Sequence, residues 1–69
     1  MFSKEQDTMV RFKVGDHVRW VRAVAKPEFQ RAIGVVTDII RNNTEDFTMY
    51  DIEFPFGMFT LYGTQIEVA

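Results

Sequence analysis

Residues 32–40, Ala-Ile-Gly-Val-Val-Thr-Asp-Ile-Ile, are the longest β-branched run in the chain. Branching at Cβ suits a pleated, half-buried surface and is mildly unfavourable in a helix, and the run leaves no polar face at a 3.6-residue period. The stretch therefore predicts the central strand of a sheet, with the rest of the chain arranged around it. Its apolar residues do not keep one parity. Val36 and Ile39 are three apart, whereas side chains of a regular strand alternate with period 2. One solution is an extra residue near Thr37 or Asp38, a bulge that also sharpens the bend a small barrel requires. The other is that both faces are covered, with Ile33 and Val35 meeting a partner subunit. Gly34 offers a second bend or room for a neighbouring backbone.

The flanking patterns complete an all-β reading. In residues 10–14, apolar Val10, Phe12 and Val14 alternate with Arg11 and Lys13, which predicts a short half-buried strand or extended segment. Gly15-Asp16 turns the chain. Residues 17–21 form a strand with Val18 and Trp20 inward and His17, Arg19 and Val21 on the other face. Residues 22–31 are a long irregular connection marked by Lys26-Pro27-Glu28, and 41–46 a polar turn. Residues 47–54 alternate again, with Tyr50, Ile52 and Phe54 inward and Asp51 and Glu53 outward. In Phe54-Pro55-Phe56-Gly57 the proline is second and the glycine fourth, the pattern of a type I turn closed by a left-handed residue and a bulge. Residues 58–62 return, Gly63-Thr64 breaks the strand as one short helical turn, and 65–68 close the sheet with Ile66 and Val68 inward. Residues 1–10 are polar enough to predict a flexible N-terminal arm, leaving 11–69 as the folded domain.

At 69 residues without cysteine, the chain has no disulfide to staple it; a domain this small buries only about 60% of its unfolded surface, so the core or an oligomer must supply the stability. Ten aromatics, seven of them Phe, are the material for that core. No stretch approaches the roughly 20 apolar residues of a membrane span, and residues 3–8 lack the apolar run of a signal peptide, so the expected location is cytoplasmic. All eight basic residues precede residue 42, where the net charge is +3; beyond it lie five acids and no base, and the total is −2. An acidic total argues against broad phosphate-backbone binding.

The candidate chemistry is sparse. One His, no Cys and scattered Ser and Thr assemble no nucleophile, base and orienting partner, and no transition-metal site, so the expectation is a protein that is not an enzyme and needs no cofactor. Asp51 and Glu53 lie about 7 Å apart on one strand face, too few oxygens for calcium by themselves. The leading expectation is a protein-interaction module or accessory subunit that binds through Arg22, Lys26, Phe29, Arg31 and Phe56, residues of the first loop and the hairpin tip. The competing structural reading has Phe29 fold down to plug one end of the barrel. The alternative function is nucleic-acid binding through Arg11, Lys13, Arg19, Arg22, Lys26 and Arg31, with Phe29 stacking on bases. A third reading is an enzyme whose site forms only on homo-oligomerisation.

Five short strands, a long first loop and a one-turn break before the last strand resemble the SH3-like small barrels, especially the KOW-type and related prokaryotic members. The residues that carry the likeness are Phe12-x-Val14-Gly15-Asp16-x-Val18, Gly34-x-Val36-x-x-Ile39, Tyr50-x-Ile52-x-Phe54 and Gln65-Ile66-Glu67. The resemblance spans residues 12–68 and implies a five-stranded SH3-like barrel. An OB-fold usually has a longer chain and a helix where this chain has only the turn at Pro55 to Gly57. SH3-like relatives include modules that bind RNA or RNA polymerase, accessory subunits of redox complexes and metal-enzyme subunits. One enzyme branch, the type II dihydrofolate reductases, uses a Val-Gln-Ile-Tyr stretch; here Thr64-Gln65-Ile66-Glu67 keeps only Gln65 and Ile66.

Overall fold

A computed structural model describes residues 10–69; the expected arm falls outside the described residues except for Val10, which is half-buried. Five strands, β1 (His17–Trp20), β2 (Gly34–Ile40), β3 (Met49–Phe54), β4 (Gly57–Tyr62) and β5 (Ile66–Val68), form one antiparallel sheet in the order β4-β3-β2-β1-β5. The β-branched run thus lies at the centre, as its pattern predicts, although the strand begins at Gly34 rather than at Ala32. Three 3₁₀ turns, Pro27–Arg31, Glu45–Phe47 and Gly63–Gln65, sit in the connections.

The parity conflict in β2 is resolved by a bulge. Val36 pairs with Ile52 and Asp38 with Asp51, so Thr37 is the extra residue; its hydroxyl donates to the Asp51 carbonyl at 3.2 Å. The slip turns Ile39 back toward the side that Val36 occupies, and Ile39 packs against the same core. Gly34 is a close-approach position, but what approaches is side chain rather than backbone. A Cβ there would stand 2.5 Å from Ile52 Cγ2 and 2.7 Å from the Phe54 ring.

Phe12, Val18, Trp20, Val36, Tyr50, Ile52, Phe54, Leu61 and Ile66 make one buried cluster that draws on all five strands. A single core shared by both ends of the strand order requires the sheet to wrap its inner face around it. The sheet nevertheless does not close into the expected barrel. β5 is three residues long and, after the turn at Gly63–Gln65, pairs with β1 rather than with β4, so among the described residues both edges of the sheet end without a partner strand.

Two further expectations are corrected. Residues 10–14 join no ladder: Phe12 is buried edge-to-face on Tyr50 (5.4 Å between ring centres), but Val14 is 60% exposed. The chain turns already at Val14, because the Asp16 carboxylate accepts the Lys13 N–H at 2.9 Å and Gly15 takes φ +98°. Val68 is 69% exposed although it shares the parity of buried Ile66, since it lies at the far end of an edge strand paired only with Val18. In the β3–β4 hairpin Gly57 takes the expected positive φ, +137°, but the expected bulge does not form: Phe54 pairs directly with Gly57 across the Pro55-Phe56 loop and the ladder continues without a register shift.

Candidate interaction surface

The first connection and the hairpin tip meet, as the sequence suggests, but they largely satisfy one another. Phe56 lies between Phe29 (3.8 Å, 8° between ring planes) and Phe54 (4.9 Å, 8°), and Trp20 stands 5.8 Å from Phe29. Lys26 Nζ is 6.0 Å from the centre of the Phe29 ring. Of the five residues expected to bind a partner, three therefore converge, Lys26, Phe29 and Phe56. Phe29 packs against the core, so the plug reading of this side chain describes its contacts. Arg22 goes elsewhere: its guanidinium donates to the Thr64 carbonyl at 2.8 Å, while its own carbonyl accepts Trp20 Nε1–H at 2.9 Å. Arg31 is exposed at the end of the Pro27–Arg31 turn.

The six bases of the nucleic-acid reading are dispersed and partly neutralised. Arg11 pairs with Glu45 (3.3 Å) and Asp46 (2.9 Å) on the acidic half of the chain. Arg19 stands opposite Glu67 across β1 and β5. Lys13, Lys26 and Arg31 are exposed, Lys26 and Arg31 at the two ends of the Pro27–Arg31 turn and Lys13 on the segment before β1. The outer carboxylate pair is also occupied in part, because Asp51 Oδ1 accepts the Thr60 hydroxyl at 2.6 Å. Among the described residues no three His, Cys, Asp or Glu side chains come together to hold a metal. Gln65 caps a turn, its Oε1 accepting the Tyr62 N–H at 3.0 Å.

A surface that periodicity did not reveal lies at the opposite end of the hairpin. Register places Ile40, Met49 and Tyr62 in one row across β2, β3 and β4, and directly paired residues project to the same side. Ile40 and Tyr62 are 45% and 41% exposed, and Phe47, in the adjoining Glu45–Phe47 turn, is 59% exposed. Asp46, Phe47, Tyr62 and Thr64 line an open cleft of about 420 Å³. The neighbouring row is Asp38, Asp51 and Thr60. The signal in the sequence is the bulge itself: the slip at Thr37 leaves Ile40 outward, and only pairing with Met49 and Tyr62 joins isolated apolar residues into a patch. No family model, curated protein or solved structure matches the chain.

Proposed function

We propose that the protein is a non-catalytic interaction module or accessory subunit, built on an SH3-like small β fold, that docks a partner protein on the row Ile40, Met49, Tyr62 and the adjoining Phe47. Support for the SH3-like type comes from the strand order, the long connection between β1 and β2, and the single 3₁₀ turn between β4 and β5. The observation that carries the functional reading is the contrast between the two aromatic surfaces. The loop and tip rings stack on each other and leave Phe56 36% exposed, whereas Ile40 and Tyr62, 45% and 41% exposed, flank Met49 with no ring partner among the described residues, and Phe47, 59% exposed, lies beside Tyr62 at the cleft. Contiguous exposed apolar groups rimmed by polar ones mark interaction surfaces. Asp38 and Asp51 beside the row call for a partner with an apolar centre and a basic rim.

The test compares the full chain with Phe47→Ser/Tyr62→Ser and Lys26→Ala/Arg31→Ala variants. Fluorescence anisotropy with a single-stranded oligonucleotide is expected to show no salt-sensitive binding. Retention of a partner from a lysate of the source cells is expected to fall in the first variant and persist in the second. Oligonucleotide binding that weakens steeply with salt and disappears in the Lys26→Ala/Arg31→Ala variant overturns the reading in favour of nucleic acid.

A further inference from the structure

The two edges that the described residues leave unpaired, β4 and β5, are unequal. Edge strands are normally blunted by charge, proline, bulges or shortness, because their unpaired N–H and C=O groups template another strand. β5 is three residues long and carries Glu67. β4 runs six residues, Gly57–Tyr62, and none of them is charged. Its ladder direction follows from the hairpin. Phe54 and Gly57 flank a two-residue loop and form the hydrogen-bonded pair, and bonded and non-bonded pairs alternate from there. The backbone groups of Met58, Thr60 and Tyr62 therefore point to the open side. The Tyr62 N–H bears this out by leaving the β3 ladder for Gln65 Oε1. Among the described residues, no backbone bond from a loop or turn reaches Met58 or Thr60.

We infer that β4 pairs with β4 of a second copy of this chain, antiparallel about a two-fold axis at Thr60. In this register Thr60 faces Thr60 of the other copy, with reciprocal N–H to carbonyl bonds, and each Met58 N–H meets the other copy's Tyr62 carbonyl. Met58, 55% exposed, then lies opposite Tyr62, 41% exposed, on the outer face, while Phe59 lies opposite Leu61 on the inner one. Antiparallel pairing also brings the hairpin tip of each copy to the end of β4 where the other copy's cleft opens beside Tyr62 and Thr64. An edge without charge faces its own copy without repulsion, and each exposed apolar side chain gains an apolar neighbour. The pairing goes beyond the docking role: it extends the row Ile40, Met49, Tyr62 into Met58 of the second copy and leaves its outer surface open.

Sedimentation velocity and amide exchange on the full chain test this, from about 10 µM to about 1 mM, the range of weak association. The mass is expected to rise from 8.1 kDa toward twice that value. The Met58 and Thr60 amides are expected to slow at least about tenfold at the high end, while the Tyr62 amide, held by Gln65, is slow throughout. Thr60→Pro removes an N–H the β3 ladder does not use, and Thr60→Lys sets two like charges across the axis; both are expected to stay at 8.1 kDa with unchanged circular dichroism. Should the proline variant unfold, the lysine variant carries the test. A mass of 8.1 kDa throughout, or a dimer that persists in Thr60→Lys or leaves the Met58 and Thr60 amides fast, overturns the inference. Phe47→Ser is expected to dimerise normally, so a failed docking surface and a failed edge pairing give different results.

Discussion

Replacing Gly34 with alanine adds one methyl group at the most crowded point of the sheet. Its Cβ would lie 2.5 Å from Ile52 Cγ2 and 2.7 Å from the Cδ1 and Cε1 atoms of Phe54. Neither neighbour is a loose end. Ile52 is fully buried at 0% exposure, and Phe54, at 3%, is stacked between Trp20 and Phe56. Overpacking a tight core costs about 1–3 kcal/mol. Alanine recovers roughly 0.5–1 kcal/mol through the lower entropy of the unfolded chain and better strand geometry. With both neighbours buried and the contacts this short, the cost falls in the upper part of that range, about 2–3 kcal/mol, so the net expectation is a loss of about 1–2.5 kcal/mol, which at about 4–8 °C per kcal/mol lowers Tm by about 4–20 °C. Urea unfolding followed by fluorescence of the sole tryptophan, Trp20, measures it. A Gly34→Ala protein as stable as the parent, or more stable, refutes the assigned packing of β2 against β3.

Three other substitutions probe separate parts of the fold. Tyr50→Phe removes the hydroxyl oxygen that accepts the Arg11 N–H at 2.7 Å, and urea unfolding should show a loss of about 1 kcal/mol with faster exchange of the Arg11 amide. Phe56→Ala takes the middle ring out of the stack with Phe29 and Phe54 and removes its edge-on contact with Phe59, and thermal unfolding should register about 1.5–4.5 kcal/mol from three ring contacts worth roughly 0.5–1.5 kcal/mol each. Arg11→Ala breaks ion pairs whose side chains are 37–67% exposed, so denaturant titration should detect less than about 1 kcal/mol at low salt and nothing resolvable at high salt.

What was legible in the sequence was legible for local reasons. Strand periodicity identified Val18, Trp20, Tyr50, Ile52 and Phe54 as inward, and all five are buried. The three-residue spacing of Val36 and Ile39 pointed to a bulge at Thr37 or Asp38, and proline and glycine marked the hairpin turn. What was missed depends on long-range pairing. Val68 has an inward parity but sits on an edge, and Val14 follows an alternation that the Asp16 carboxylate interrupts. The closed barrel fails because β5 and β4 never meet. At the surface, chain spacing brought Phe29 and Phe56 into view, but it could not show that the two rings stack on each other. Arg11 reads as a free cation in the sequence and in the fold meets two acids more than 30 residues away. The row Ile40, Met49 and Tyr62 is assembled by register alone, and register is a property of pairs of strands.

The docking claim is tested most directly by a photo-crosslinking residue placed in living cells at position 47, at 62 and, as controls, at 17 and 31, with the adducts identified by mass spectrometry. The account predicts discrete protein adducts from positions 47 and 62, absent from 17 and 31. Adducts to nucleic acid, or protein adducts from 17 and 31 with none from 47 and 62, would contradict it.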